Sequence, residues 1–260
     1  MKVPMHRSML RAGLLSASLL LGAVEARAVD LLNGQWTLYP AEAEGQVQVM
    51  LVRSARPGTA FTHSADWNTA DLKGLDLTTS GKHDVRFTIA RDAGTLEAEG
   101  FVSGRNGAGL FKFTPNPKYA ADMAALGFPG VEEDKQLGMA LSDVSLAFAK
   151  EMRELKIHDL DLRALRSFRV HKIDTAYVKS LRGEGLTTAA AKDLVAFRIH
   201  GVTPEYVKAV RAQGFAPTEK QLVAMRIHGV TPEYIAGLKK RGMEKLTLDK
   251  VISLKIHGIT

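Results

Sequence analysis

The amino-acid sequence predicts an α+β protein in which a small antiparallel β domain precedes an array of α-helical hairpins. Two observations support this fold class. Apolar and polar residues alternate in the N-terminal half, and the heptapeptide His-Gly-Val-Thr-Pro-Glu-Tyr occurs twice in the C-terminal half. Alternation with a period of two is typical of half-buried strands, and recurrence at a fixed spacing is typical of repeat architectures. We therefore divide the chain into residues 1–28, 29–115 and 116–260.

Residues 1–28 have the pattern of a secretory signal peptide. Lys2, Arg7 and Arg11 precede an apolar run over residues 12–23, and Ala26-Arg27-Ala28 places small residues at a cleavage site. The apolar run is much shorter than the roughly 20 residues needed to cross a bilayer. We expect cleavage after Ala28 and a mature protein that does not span the membrane. Its expected location is the periplasm or the exterior of a bacterial cell.

Residues 29–115 are expected to form the β domain, either a sandwich or a partial barrel. Residues 84–90 alternate between apolar and polar side chains, and turn residues precede strands at 95–102 and 110–113. These three strands predict a β-meander with tight hairpins. Upstream, residues 35–39, 46–53 and, more weakly, 61–67 predict further strands. Residues 68–82 predict a loop with a short helical turn.

Residues 116–260 are expected to form about five units of 28–29 residues, each made of two short helices. The first helix of each unit follows an N-cap residue type, and these positions are spaced by 28 or 29 residues: Asn116, Ser145, Asp174, Thr203, Thr231 and Thr260. A left-handed glycine is expected to end that helix, although Lys156 replaces it in one unit. Caps of the second helices are predicted at Asp161, Thr218 and Thr247. Recurring apolar positions, among them Ile227 and Ile256, are expected in a core shared by neighbouring units.

The repeat resembles one found in exported bacterial proteins. Its string is Leu-x-x-Gly, then Arg/Lys-Ile-His-Gly-Val-Thr-Pro-Glu-Tyr, and the preceding segment from Phe87 to Pro117 is similar to the region before those repeats. Some of these proteins resemble membrane metallopeptidases of the β-lactamase antirepressor type, with the repeats outside the cytoplasm; others are short exported proteins of uncharacterised function. The resemblance covers about residues 60–260 and implies architecture and location. This chain has no His-Glu-x-x-His motif, so peptidase activity does not carry over.

Two sets of side chains recur once per unit and are candidates for an interaction surface. The basic ladder comprises Arg169, Arg198, Arg226 and Lys255, and the histidine ladder comprises His171, His200, His228 and His257. The histidines could bind zinc or copper or act as a pH switch. However, stacked helices lie about 8–10 Å apart, and each histidine is expected at a helix C-terminus, where a cation is favoured anyway. We therefore predict no metal and no cofactor.

The charge distribution bears on the choice of partner. The formal net charge is +7, with 8 basic and 10 acidic residues in 29–115 but 23 and 17 in 116–260. The basic ladder could hold an acidic peptide, lipid headgroups or another anionic envelope component. The turn before the Thr-Pro pair loosely resembles a helix-hairpin-helix. Nucleic acid is nevertheless not the expected partner, because the charge is modest, base-stacking aromatics are missing and the leader predicts export.

Three functions remain open from the sequence. The first is a non-enzymatic periplasmic module that binds a protein or peptide of the cell envelope. The second is an accessory of envelope-stress or β-lactam sensing that acts beside an antirepressor-type metallopeptidase. The third is a hydrolase, for which His63, Ser64 and Asp66 are the closest grouping. Neighbouring strand residues point to opposite faces, so His63 and Ser64 are not expected to share a proton. Trp36 and Trp67 are expected to pack rather than bind a ligand.

Overall fold

The structure is a computed structural model that describes residues 32–56, 59–243 and 245–259. The predicted signal peptide and the predicted cap Thr260 lie outside these residues. The described part has a sheet followed by helices, which confirms the α+β class.

Six strands form the N-terminal half, and every predicted strand is present. Each one extends beyond its predicted bounds. A 3-10 turn at Thr69–Asp71 lies in the segment predicted as a loop with a helical turn. The strands are β1 (Asn33–Pro40), β2 (Gln46–Arg56), β3 (Thr59–Asn68), β4 (Lys82–Arg91), β5 (Gly94–Ser103) and β6 (Asn106–Pro115).

The strands belong to one antiparallel sheet in the order β3-β2-β1-β6-β5-β4. Two three-stranded meanders, β1-β2-β3 and β4-β5-β6, are joined where β1 pairs with β6. The predicted β-meander over residues 84–113 is therefore confirmed. A sandwich would need two sheets, so that alternative was wrong for the described strands: both meanders continue a single hydrogen-bond ladder.

The side chain of Trp36 links two strands that are not neighbours in the sheet. The indole contacts Phe87 of β4 edge-on, with ring centroids 5.1 Å apart. In the sheet order, β6 and β5 lie between β1 and β4. Across a flat sheet, strands that far apart would be separated by about 14 Å. Gly109 and Gly100 lie opposite Trp36 in register on the intervening strands. Having no side chains, they leave room for the indole, which donates to the carbonyl of Glu99 at 3.1 Å.

Ten helices follow the sheet in the described residues. They form two rows: α4, α6, α8 and α10 contact one another in sequence, while α1 contacts α3, α5 contacts α7 and α7 contacts α9. We call these the even row and the odd row. The helices are α1 (Tyr119–Ala125), α2 (Glu133–Leu141), α3 (Leu146–Glu154), α4 (Leu162–Val170), α5 (Thr175–Gly183), α6 (Ala191–His200), α7 (Pro204–Ala212), α8 (Glu219–Ile227), α9 (Pro232–Lys240) and α10 (Leu248–Ile256).

The predicted caps explain most helix starts. Side chains of Ser145, Asp174, Thr203, Thr231, Asp161, Thr218 and Thr247 each accept a hydrogen bond from the backbone three residues on. Asn116 differs, because its side-chain oxygen accepts from Lys118 and α1 begins only at Tyr119. At Lys156 the expected glycine is missing, yet the residue keeps the left-handed conformation at φ 51°.

Polar contacts join the sheet to the first helices. Arg91 at the end of β4 pairs with Asp143 at 3.1 Å, and Asp92 accepts from the backbone N–H of Leu146 at 2.8 Å. Buried residues of the sheet and of the helices belong to one contiguous hydrophobic cluster. The end of β4 and the turn after it therefore contact the start of α3 and the turn that precedes it.

Candidate interaction surface

Recurring tyrosines tie four of the odd-row helices, α1, α5, α7 and α9, to turns that lie further along the chain. The hydroxyl groups of Tyr119, Tyr177, Tyr206 and Tyr234 donate to the carbonyls of Val144, Val202, Val230 and Ile259, at 2.6–2.9 Å. Each acceptor lies 24 or 25 residues after its donor. Burial raises the pKa of Tyr177 and of Tyr206 to about 12, since the phenolate would lose its hydration. Phe148 occupies the equivalent position on α3 and lacks the hydroxyl.

The basic ladder is folded back onto the protein. The guanidinium of Arg198 donates to the carbonyl of Lys172 at 2.7 Å and stacks on Tyr177 at 3.9 Å from the ring centroid. Arg226 repeats the arrangement with the carbonyl of His200 and the ring of Tyr206. In both cases the cation lies at the C-terminus of the preceding even-row helix, where the helix dipole favours positive charge.

The first and last members of the basic ladder, Arg169 and Lys255, make different contacts. Arg169 donates to the carboxylate of Asp143 and lies 5.2 Å from the ring centroid of Phe148. Lys255 lies 4.5 Å from the ring centroid of Tyr234. All four members of the ladder thus contact the preceding part of the chain.

A second set of basic residues, which the sequence pattern had not singled out, contacts the C-terminal ends of odd-row helices. Arg182 donates to the carbonyl of Leu155 at 2.7 Å, and Lys239 donates to that of Gln213. Arg153 and Arg211 lie against Gly127 and Gly185, at the ends of the preceding odd-row helices. In this second set, a basic residue lies 26 or 27 positions after the helix end that it contacts. This recurrence is the sequence signal that could have revealed the set. Eight of the 23 basic residues of the segment 116–260 therefore lie against the ends of preceding helices.

The histidine ladder lies at the C-terminal ends of the even-row helices, as predicted. His171, His228 and His257 are C-cap residues, and His200 is the last residue of α6. His257 contacts the carbonyl of Ser253 through its Nδ1 at 2.7 Å. Within residues 32–56, 59–243 and 245–259, no three His, Cys, Asp or Glu side chains come together in a way that could hold a metal ion.

Beside the basic ladder, four aliphatic side chains point into solvent. Each follows a basic-ladder residue directly in sequence, and the exposed fractions are 61% for Val170, 56% for Ile199, 55% for Ile227 and 54% for Ile256. The expectation that Ile227 and Ile256 lie in the core was therefore wrong. The stacking of the even row buries the other helix face, through Leu222 and Met225 in α8. We call these four residues the aliphatic row.

The same helix face carries basic residues two turns before the aliphatic row. Positions seven residues apart share a helix face and are about 10.5 Å apart along its axis. Seven residues before the first three members lie Arg163, Lys192 and Lys220, all exposed. Neither an ion pair nor a hydrogen bond joins these side chains to other described residues. Asp249 holds the corresponding place in α10 and accepts from Gln221 at 2.8 Å. We call Arg163, Lys192 and Lys220 the free basic row.

Half-buried residues fill the space between the two rows. Val195 and Val223 lie one turn before Ile199 and Ile227 and are partly exposed, so the apolar surface is two residues wide there. At α4 the surface runs into a cleft of about 900 Å³. The cleft combines apolar and basic lining residues: Phe128, Met139, Leu160, Val170, Lys135 and Arg166.

The sheet offers a different surface. A cleft of about 1010 Å³ lies on its solvent face, lined in part by Arg86, Glu99, Leu110 and Lys112. Its charges are of both signs, and Arg86 lies 3.7 Å from Glu99. The cleft therefore has no strong preference for a partner of one charge.

The structure separates the three residues of the hydrolase hypothesis. His63 faces the core opposite Leu51, whereas Ser64 and Asp66 are exposed on the other face of β3. Burial lowers the pKa of His63, and the nearby positive charge of Arg166 lowers it further. Trp36 and Trp67 are buried, as predicted.

Comparisons with known proteins give no assignment. Family models, curated proteins and solved structures were searched, and none of them matches this chain. Among the described residues, no helix has the length and apolar character needed to cross a membrane.

Proposed function

We propose that the protein is a non-enzymatic interaction module of the bacterial cell envelope that binds a protein or peptide. In this proposal, the ten helices are an array of two-helix units, and the even row carries the binding surface. The leader pattern in residues 1–28 supports export to the periplasm.

The aliphatic row is the observation that carries the proposal. Its four side chains are β-branched and apolar, and each is more than half exposed. They recur at one position of successive even-row helices, which contact one another. Single exposed apolar residues are ordinary, whereas a contiguous apolar surface marks an interaction site. Covering what remains exposed of each side chain would contribute about 1 kcal/mol to binding.

The folded-back basic ladder changes which residues are expected to contact the partner. All four cations lie over aromatic rings, and Arg169, Arg198 and Arg226 also donate to carbonyls at the ends of preceding helices, so we assign them to the stability of the array. The aliphatic row and the free basic row become the expected contact residues.

Site-specific photo-crosslinking in cells tests the proposal. A photoreactive amino acid is placed at Ile199 or Ile227, and at Leu110 as the matched control, because Leu110 is an equally exposed aliphatic residue on the sheet. We expect a discrete protein adduct from the two helix positions and none from the control. The same adduct from all three positions, or no adduct from any, would contradict the proposal.

Export is tested by determining the N-terminus of the protein recovered from the periplasmic fraction. We expect the mature chain to begin at Val29. Recovery of the intact chain with Met1 in the cytoplasmic fraction would contradict an envelope location.

A further inference from the structure

We infer that the partner presents an acidic amphipathic α-helix, which lies across the even row with its apolar face on the aliphatic row. This inference rests on the proposed function and specifies the chemistry of the partner. Charge, spacing and width of the surface support it.

Charge selects an acidic partner. Arg163, Lys192 and Lys220 are exposed and make no ion pair or hydrogen bond with other described residues, whereas the cations of the basic ladder contact carbonyls, a carboxylate or aromatic rings. They run parallel to the aliphatic row over three consecutive even-row helices. A partner that covers both rows would place its own charges beside these cations, so carboxylates are favoured there.

Spacing selects a helix over a strand. Packed helices lie about 8–10 Å apart, so neighbouring members of the aliphatic row are separated by about that distance. Residues seven apart on a partner helix share one face and are about 10.5 Å apart. In a strand, same-face residues are separated by about 6.6 Å or about 13 Å, which does not match. A polyproline II segment would match at about 9.3 Å per turn, so it is an explicit alternative in the test.

The width of the surface distinguishes a partner helix from a polyproline II segment, the two candidates whose spacing matches. The aliphatic row and the free basic row are about 10.5 Å apart along each helix, and a helix with side chains is about 10–12 Å wide. One partner helix can therefore cover Ile199 with its apolar face and reach Lys192 with its acidic edge. Polyproline segments are usually held by aromatic grooves, whereas the exposed side chains of this face are aliphatic.

Peptide binding to the purified full-length protein tests the inference. The first probe is a fluorescent helical peptide with leucine at every seventh position and glutamate along one edge. The second has the same leucines but lysine in place of glutamate, and the third is a proline-rich peptide with leucine at every third position and glutamate between. Fluorescence anisotropy at low and high salt gives the affinities. We expect only the first peptide to bind, and more weakly at high salt because exposed charges are screened.

Variants locate the site. Ile199→Ser and Ile227→Ser should each weaken binding of the first peptide by about fivefold. The double variant Lys192→Glu with Lys220→Glu should weaken it by about tenfold or more. Leu110→Ser on the sheet and Lys208→Glu on the odd row are the matched controls and should leave affinity unchanged. Circular dichroism confirms that each variant is folded.

The results separate this inference from the proposed function. Preference for the proline-rich or the lysine peptide would overturn the inference, as would a first-peptide affinity that the aliphatic variants do not change. So would stronger binding to vesicles containing anionic phospholipid than to the first peptide, or dimerisation through the aliphatic row. In any of these cases, a discrete photo-crosslinked protein at Ile227 would still support the proposed function. Absence of any crosslinked protein, with the first peptide bound as expected, would contradict the proposed function, although the surface would still be shown to bind an acidic helix.

Discussion

Different interactions stabilise the sheet and the helical half, and the comparison shows which side chains are available to bind a partner. In the sheet, backbone ladders connect distant parts of the chain, and side chains mainly fill one core. In the helical half, the links between neighbouring helix pairs include side chains, the tyrosine hydroxyls and the basic residues at helix ends. In the helical half, basic side chains that the sequence suggests are available for binding therefore stabilise the fold. The aliphatic side chains that the sequence places in the core are instead exposed.

The largest effect is expected in the sheet core. The glycines opposite Trp36 have no side chains that could fill the space left by its removal. Trp36→Ala should therefore lower the free energy of unfolding, measured in urea, by about 3–5 kcal/mol. Leu110→Ala, on the solvent face of the adjacent strand, should change stability by less than about 0.5 kcal/mol. Equal losses for both variants would contradict a core that lies on one face of the sheet.

The tyrosine links give the next largest effect. Tyr206→Phe leaves the carbonyl of Val230 without the hydrogen bond that the hydroxyl donates at 2.7 Å. The loss of this bond should cost about 1–2 kcal/mol in urea unfolding. Tyr39→Phe, at an exposed position on β1, is the control and should have no measurable effect. Phe148→Tyr should stabilise the protein by about 0.5–1.5 kcal/mol if a hydroxyl there reaches the carbonyl of Ile173. No gain from this variant would show that α3 does not follow the pattern.

The same tyrosines predict a loss of stability at high pH. The pKa of Tyr177 and of Tyr206 is raised to about 12 in the folded state, against about 10 when unfolded. The unfolded chain therefore loses these protons first, and stability should fall as the pH rises from about 10 to about 12. Melting temperatures across that range measure the fall. Tyr206→Phe should make the slope shallower, and an unchanged slope would rule out this residue as a cause.

The basic ladder is expected to contribute less per residue. Arg198→Met removes a charge-assisted hydrogen bond and a stacked cation at an exposed site, so the cost should be about 1–2 kcal/mol. Arg163→Met, which removes a free cation from the neighbouring even-row helix, should cost less than about 0.5 kcal/mol. Urea unfolding of both variants measures the difference. Similar costs would mean that the two basic sets do not differ in role.

The smallest effect concerns a helix end. Lys172 has a φ of 54°, a conformation that glycine adopts without steric cost. Lys172→Gly should therefore stabilise the protein by about 0.5–1 kcal/mol, whereas Lys179→Gly inside α5 should destabilise it by about 1 kcal/mol. Thermal unfolding compares them, and destabilisation by both would contradict the left-handed turn.

Local chemistry in the sequence predicted much of the fold. Alternation identified the strands, and cap residues such as Thr203 and Thr231 identified helix starts, because both signals act over a few residues. The joining of the two meanders into one sheet and the contact of Trp36 with Phe87 across glycines of two other strands bring together distant parts of the chain. No local pattern encodes either.

The candidate surface was predicted only in part, for a similar reason. Periodicity placed Arg226 and Ile227 at recurring positions, but their direction depends on how the even row stacks. Residue type suggested that the arginine is free and the isoleucine buried. The carbonyl of His200 and the ring of Tyr206, both supplied by earlier helices of the chain, give the arginine a structural contact, while the isoleucine is more than half exposed, which reverses that assignment.

Urea unfolding of Arg226→Met and Ile227→Ser tests this reversal most directly, because the two residues are adjacent. Arg226→Met should lower the free energy of unfolding by about 1–2 kcal/mol, and Ile227→Ser by less than about 0.5 kcal/mol. A loss above about 2 kcal/mol for Ile227→Ser, with none for Arg226→Met, would contradict the account: the isoleucine would then be a core residue, and the contacts of the arginine would not stabilise the fold.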